Sequence, residues 1–298
     1  DTDMQIFWNK FYTLGLGEFF YRNDIDPRGL ALFSSDSETT YARHHISTSG
    51  RAIVPVGGGK DSIVTIERIR ASGVPMDLFT FGKENPIYAD TARISEQDRL
   101  IVKRTLSPTL FEMNQSGYYN GHVPITGVIS FVLTLVAYLY DYRYIIFSNE
   151  QSSNFGNLEF HGMSVNHQYS KSLEFEDDFR QYTKRYMTED IEYFSMMRPY
   201  YEVNIITQFA EYKKYFSVFT SCNTNFTISR THEKEGRWCR KCPKCAFVWA
   251  CLHPHITQDE ILSIFHGDMY EDISLIPLFR ELAGVDGHKP FECVGTNE

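Results

Sequence analysis

The sequence predicts an α/β fold: a parallel sheet flanked by helices, followed by a mostly helical part that carries a cysteine cluster. Three observations predict it. A β-branched run, Ala52 to Val56, meets a glycine turn and restarts as a helical pattern at Asp61. Apolar runs then alternate with helical segments as far as Ser148, the pattern of βαβ units with parallel strands. Beyond about Leu173 the apolar spacing becomes helical, and four cysteines crowd one stretch.

Each element has its own local reason. Residues 1–50 are aromatic-rich and form an extension, with "FWNKFYTLGLGEFFY" expected as a helix and turn on the main body and "FSSDSETTYARHH" as loop. A core is expected over 51–172. Its first strand leads to a helix from Asp61 to Ser72, closed by Gly73. Met76 to Phe81 reads as the second strand and Leu100 to Arg104 as the third, with "TLSPTLFEMNQSGYYNG" after it as a long loop. Ile125 to Tyr140 reads as a buried helix rather than a membrane span, because it runs straight into a fourth strand, Tyr144 to Ser148. Residues 173–298 are expected to be mostly helical. In them Thr257 and Glu260 stand as a capping box and Gly267 as a stop.

Bulk properties narrow the partners. The chain has 298 residues, 42% hydrophobic and 22% charged, as in an ordinary soluble globule. A net charge of −9 disfavours nucleic acid as a partner, since such binders neutralise phosphates with a basic face. A small anionic ligand remains compatible. The opening "DTDMQIFWNK" has no basic stretch leading into an apolar one, so a cytoplasmic protein with no membrane partner is expected. The missing initiator Met suggests a trimmed chain.

The stretch "GGGKDS", Gly57 to Ser62, lies where the first strand becomes a helix. Glycines let a backbone approach an anion and turn its N–H groups inward. Ser62 adds a hydroxyl at the positive end of the helix dipole, and Lys60 adds a cation. Asp61 is out of place in a simple anion nest unless it holds Mg²⁺ against the phosphates. In a parallel sheet the ligand sits at the C-terminal strand ends. Gly57 to Ser62 and Asn149 to Asn157 both fall there.

Cys222, Cys239, Cys242 and Cys245 form the second constellation. Four thiolates close a tetrahedral shell around Zn²⁺ and leave no position for water, so a structural rather than catalytic centre is expected. Nearby His232, His253 and His255 are substitute ligands for one of the four.

"GGGKDS" resembles the PP-loop of the N-type ATP pyrophosphatases, usually written SGGxDS. Gly58, Gly59, Asp61 and Ser62 match it, and Gly57 replaces the first Ser. The resemblance implies the adenine nucleotide alpha hydrolase-like fold, with ATP cleaved between its α and β phosphates and AMP passed to a substrate oxygen. The cysteine spacing is similar to the zinc element of PP-loop enzymes that make 7-cyano-7-deazaguanine. "VGGGKDS", "SNEQSSNFGN", "VNHQYSKS", "WCRKCPKCAFV" and "GHKPFECVGT" together resemble one branch more closely, from Ala52 to the C-terminus. That branch is the ATP-dependent epimerase family acting on UDP-N-acetylmuramoyl-L-alanyl-L-glutamate in peptidoglycan synthesis. It implies ATP and Mg²⁺ as cofactors, structural Zn²⁺, a UDP-muramoyl peptide as substrate, and epimerisation of the terminal glutamate through an acyl-adenylate.

Under that resemblance Gly57, Gly58, Gly59, Lys60, Asp61, Ser62, Phe81, Gly82 and Asn149 are assigned to the nucleotide. Ser152, Ser153, Asn154, Asn166, Tyr169, Ser170, Arg198 and Lys289 are assigned to the substrate. Asp61, Glu150, His167, Lys171 and Cys293 are the catalytic candidates. Glu150 stands either as a Mg²⁺ ligand or as a base, and His167 is the natural acid or base near neutral pH. Cys293 is a thiol for one of two proton transfers or a buried lone cysteine. Two other functions fit the same motifs: a ligase that passes ammonia or sulfur to an adenylated carboxylate, and a zinc-stabilised nucleotide-binding module without catalysis.

Overall fold

The computed structural model describes residues 1–30, 32–35, 42, 44–226, 236–286 and 292–296. Its centre is a five-stranded parallel sheet in the order β3-β2-β1-β4-β7. The strands are β1 (Arg51–Pro55), β2 (Met76–Phe81), β3 (Arg99–Val102), β4 (Tyr142–Phe147) and β7 (Glu192–Ser195). A separate antiparallel hairpin, β5 (Leu158–Phe160) and β6 (Met163–Val165), projects between β4 and β7 in the chain. The helices are α1 (Thr2–Gly15), α2 (Gly17–Arg22), α3 (Lys60–Ser72), α4 (Pro86–Ser95), α5 (Pro108–Gln115), α6 (Ile125–Leu139), α7 (Leu173–Tyr186), α8 (Glu202–Phe209), α9 (Pro243–Leu252), α10 (Gln258–Phe265) and α11 (Ile276–Leu282).

Successive residues of a strand face opposite ways, and here both faces are buried. Ala52, Val54, Leu78 and Ile146 pack under α3 with Ile66 and Ile69. Ile53, Phe79 and Ile145 pack on the other face with Leu133 of α6, Phe175 and Phe179 of α7, and Phe7 and Phe11 of α1. The aromatic-rich N-terminus is thus a helix pair docked on the sheet's helical cover. A third core gathers the C-terminal helices around Trp249, Phe209 and Phe219, and reaches Ile63 and Val64 of α3. Burying one such aliphatic or aromatic side chain stabilises by about 1.5–3 kcal/mol.

Several details depart from expectation. The segment read as a long loop after β3 contains α5, capped by Ser107 with Pro108 in its first turn. The missed α4 has the same signature, Asn85 followed by Pro86. β3 and β4 each begin and end slightly earlier than expected. β7 lies beyond residue 172, inside the stretch read as mostly helical, so the parallel sheet draws its last strand from there. α6 is buried on one face only, and Leu135, Tyr138 and Leu139 on the other face are exposed. Among the described residues no helix is long and apolar enough to cross a membrane.

α3 follows β1 and α8 follows β7, and the two helices pack side by side, with Arg68 Nε donating to Gln208 Oε1 at 2.9 Å. Their N-termini therefore meet at the C-terminal end of the sheet.

Candidate functional site

The glycine loop is shaped by its contacts. Gly58 has φ +75°, and a Cβ there would lie 2.1 Å from Ile87 Cγ2, so both the backbone and the neighbour demand glycine. Its carbonyl accepts from Thr220 N at 3.0 Å. Gly59 caps α3, and Ser62 Oγ donates back to Gly59 O at 3.0 Å. The first helical bond runs from Ile63 N to Gly59 O, so the amides of Lys60, Asp61 and Ser62 stand ahead of the ladder, as an anion site requires. A Cβ on Gly57 would meet nothing within 4 Å, so packing does not enforce the glycine that replaces serine there. Phe81 and Gly82 end the neighbouring β2, with Gly82 N donating to Val102 O at 2.9 Å.

Behind the loop lies a knot of charges. Lys60 is only 4% exposed and its Nζ meets Asp61 Oδ1 at 2.5 Å. Burial pulls its ammonium down, but Asp61, Glu202 and Glu150 outweigh that and hold its pKa above the ordinary value. Glu150 and Glu202 are both buried. Glu202 Oε1 accepts from Ser152 Oγ at 2.5 Å and from Gly295 N at 3.0 Å. Glu202 Oε2 and Glu150 Oε1 are buried without a hydrogen-bond partner among the described residues. Burial, then Glu202, raises the Glu150 carboxyl above its usual range, while Lys171 and Lys60 pull it down. Lys171 Nζ lies 3.3 Å from Cys293 Sγ. Burial opposes its charge, but Cys293 and Glu150 prevail and keep it protonated. One cluster thus joins Asp61, Glu150, Lys171 and Cys293 with Lys60 and Glu202. Asn149 is buried beside it, its carbonyl accepting from Ser195 Oγ at 2.7 Å.

The polar residues expected on the substrate mostly hold the loops. Arg198 donates to Glu150 O at 2.9 Å, Ser153 Oγ at 2.8 Å, Lys171 O at 2.6 Å and Glu176 Oε2 at 2.9 Å. Its guanidinium is committed inside the protein, where it ties the turn after β4 to the turn before α7. Ser153 Oγ donates to Glu150 O at 2.7 Å, and Asn166 Nδ2 to Ser153 O at 2.8 Å. Ser170 is buried. Asn154, Asn166 and Tyr169 do line a 580 Å³ cavity, together with Leu14, Gly156 and Ser164. Lys289 and His288 lie outside the described residues, as does His232.

His167 departs from the near-neutral acid or base expected of it. Burial, then Lys171, Lys244, His122 and Arg22, lower its pKa from 6.5 to about 3. Its Nδ1 lies 2.7 Å from Asn157 Oδ1, an acceptor, so the proton sits on Nδ1 and the ring is neutral. An unfolded histidine binds a proton below about 6.5 that the folded one refuses until about 3, so this group's stabilisation is complete above pH 6.5 and declines as pH falls toward 3. His167→Gln is expected to narrow the loss of denaturant midpoint between pH 7 and pH 4. An unchanged loss would mean that the ring is not held neutral.

The four cysteines converge as expected. The Sγ atoms of Cys222, Cys239, Cys242 and Cys245 all lie within 4.8 Å of one another. Separations of 3.7 Å (Cys239–Cys245), 3.4 Å (Cys242–Cys245) and 4.0 Å (Cys222–Cys242) bracket the edge of about 3.8 Å that Zn–S bonds of about 2.3 Å give a tetrahedron. The donor set thus fits Zn²⁺. Cys242 caps α9 and Cys245 sits in its first turn, where the helix dipole favours thiolates. His253 Nε2 donates to Gln258 Oε1 at 3.0 Å instead of joining the cluster.

Sequence reading missed Glu202 and Gln168. Gln168 Oε1 accepts from both Cys293 Sγ and Lys171 Nζ. The signal for Glu202 was indirect: an acidic residue opening the helix after a parallel strand, legible only once β7 is recognised.

Comparisons with known proteins agree with one another. Residues 1–196 match the family model of the MurL N-terminal domain, and residues 218–298 that of the MurL C-terminal domain. The UDP-N-acetyl-alpha-D-muramoyl-L-alanyl-L-glutamate epimerase of Xanthomonas oryzae pv. oryzae is 37% identical over 295 residues, which is 99% of this chain and 65% of that protein. The proteins of the same name from Micromonospora sp. and Salinispora tropica are 38% and 37% identical over 289 residues, 96% of this chain and 64% and 62% of theirs. The chain therefore spans somewhat less than two thirds of these relatives' length.

Proposed function

Since this chain belongs to the MurL family, we propose that it epimerises the terminal L-glutamate of UDP-N-acetylmuramoyl-L-alanyl-L-glutamate to D-glutamate, using ATP, in the cytoplasm. The observation that carries the reading is the meeting of a glycine loop with two lysines, three carboxylates and a thiol at the C-terminal end of a parallel sheet.

The chemistry explains why both halves are needed. A Cα proton beside a carboxylate is hard to remove, because the product carries a second negative charge on the same unit. Transfer of AMP to the α-carboxylate cancels its charge and makes the carbonyl an electron sink. The loop of Gly57 to Ser62, read as a PP-loop, holds the β and γ phosphates as the leaving pyrophosphate, with Lys60 as counter-charge. Phe81 and Gly82 border the nucleotide. Asp61 is the ligand for Mg²⁺, which when bound offsets phosphate charge.

The second half moves a proton. Cys293, its Sγ 3.3 Å from Lys171 Nζ, is one transfer group. Glu150, with a buried unpartnered oxygen and a raised pKa, is the other. His167, neutral, serves as a hydrogen-bonding residue. Asn154, Asn166 and Tyr169 border the cavity for the muramoyl peptide. Hydrolysis of the acyl-adenylate then yields the D-glutamyl product and AMP. The cysteine centre holds structural Zn²⁺.

The reading is tested by incubating the chain with ATP, Mg²⁺ and this substrate. AMP and pyrophosphate in equal amounts, dependent on the substrate, are expected. ATP left intact, or cleaved to ADP, would overturn it.

A further inference from the structure

Residues 292–296 run as a short irregular strap between the cysteine centre and the charged cluster. At one side the Glu292 carboxylate accepts from the Asn223 amide, and the Cys293 carbonyl accepts from Lys244 Nζ at 3.0 Å. Asn223 directly follows Cys222, and Lys244 directly precedes Cys245. At the other side Cys293 Sγ meets Gln168 Oε1 and Lys171 Nζ, and Gly295 N donates to Glu202 Oε1 at 3.0 Å. Between them Val294 is 1% exposed, anchored in the same core as Trp249.

We propose that Asn223 and Lys244 are positioning residues that place the Cys293 thiol for proton transfer, so that the four-cysteine centre sets the geometry of the proton-moving half-reaction. The strap belongs to no helix or strand among the described residues. These contacts and the buried Val294 therefore contribute to its placement. Two of the contacts come from sequence neighbours of the cysteine cluster, whose positions any ordering of that cluster fixes. The thiol they present lies in the cluster that also holds the unpartnered buried oxygens of Glu150 and Glu202. Proton transfer is steep in geometry, and a misplacement of about 1 Å costs up to about a hundredfold.

The proposal rests on the adenylation reading above. Once the Cys293 thiol has released its proton to solvent, its sulfur takes the Cα proton: the Cα–H bond breaks, an S–H bond forms, and the electron pair moves to the carbonyl oxygen of the acyl-adenylate. The Glu150 carboxyl then gives its proton to the opposite face of Cα, the electron pair returning from the carbonyl oxygen to form the new C–H bond, which completes inversion. Neither Asn223 nor Lys244 touches the glycine loop, so adenylation does not depend on them.

The experiment uses the full, zinc-loaded chain with ATP, Mg²⁺ and the UDP-muramoyl dipeptide in D₂O. Pyrophosphate release, deuterium at the glutamyl Cα and zinc per chain are measured together. Lys244→Met and Asn223→Ala are expected to keep zinc and to release pyrophosphate within about twofold of the unaltered chain, while deuterium uptake falls about tenfold or more. Lys244→Arg, which retains a donor of similar reach, should recover most of it. Unchanged deuterium uptake in both variants, or pyrophosphate release falling in step with it, would overturn the proposal. An unaltered chain that releases no pyrophosphate would instead refute the adenylation reading.

Discussion

Asp61→Asn is expected to lower kcat/KM by about a thousandfold or more while the protein stays folded, because it removes a charge that acts on the phosphates and not on the core. Asparagine keeps the shape at the head of α3 but is a poor Mg²⁺ ligand. Stability should fall by less than the about 3–5 kcal/mol lost when one partner of an isolated buried ion pair is removed. Two facts set that bound. Asp61 is 28% exposed, and Lys60 retains Glu202 and Glu150 nearby. The cleaner contrast is with Lys60→Met, which removes the cation and leaves three carboxylates facing each other. The measurement is pyrophosphate release beside a thermal melt. Full activity in Asp61→Asn would end the assignment of this loop to ATP.

The second large effect is expected at the cysteines. Cys242→Ser should lose zinc and soluble yield, since Cys242 lies 3.4 Å from Cys245 and 4.0 Å from Cys222 and no four-thiolate shell closes without it. Bound metal contributes folding free energy outright, on the order of 10 kcal/mol in isolated zinc modules. Here the loss is smaller, because α9 also buries Trp249, Phe247 and Val248. The damage should spread to the nucleotide. Thr220, two residues before Cys222, donates its amide to Gly58 O, so a loosened cysteine segment frees the glycine loop. ATP affinity is expected to fall by about tenfold, and Cys251→Ser, outside the cluster, should keep one zinc per chain. Unchanged zinc in Cys242→Ser, by elemental analysis, would contradict the four-cysteine centre.

What could be read from the sequence depended on whether a feature was local. The glycine loop announces itself because Gly58 must adopt a left-handed φ and admit Ile87, and a strand precedes it. The cysteines announce themselves because two of their spacings are short turns at a helix start. β7 did not, since four residues, Glu192 to Ser195, are too few for a period to show. α4 and α5 could have been read, for Asn85-Pro86 and Ser107-Pro108 are start signals. The site's second half was legible as candidates but not as roles. Arg198 was assigned to the substrate, and only its donation to Glu150 O, Lys171 O and Glu176 shows that it clasps two turns. His167 looked like a titrating group, and only its burial beside Lys171 makes it neutral. Glu202 lies 52 positions beyond Glu150, and no local pattern joins them, yet Ser152 bridges the two segments. Long-range electrostatics of this kind is a property of the fold.

If this site activates a carboxylate in order to move the proton beside it, adenylation and proton exchange must occur in one reaction. The direct test is one incubation with UDP-N-acetylmuramoyl-L-alanyl-L-glutamate, ATP and Mg²⁺ in D₂O, read by mass spectrometry and by the configuration of the glutamate. One deuterium at the glutamyl Cα, a D-glutamyl product, and AMP formed alongside are expected. AMP without deuterium would mark a ligase that uses the adenylate otherwise, and deuterium without ATP would show that activation is not needed; either result would rule out an adenylate-driven epimerisation at this site.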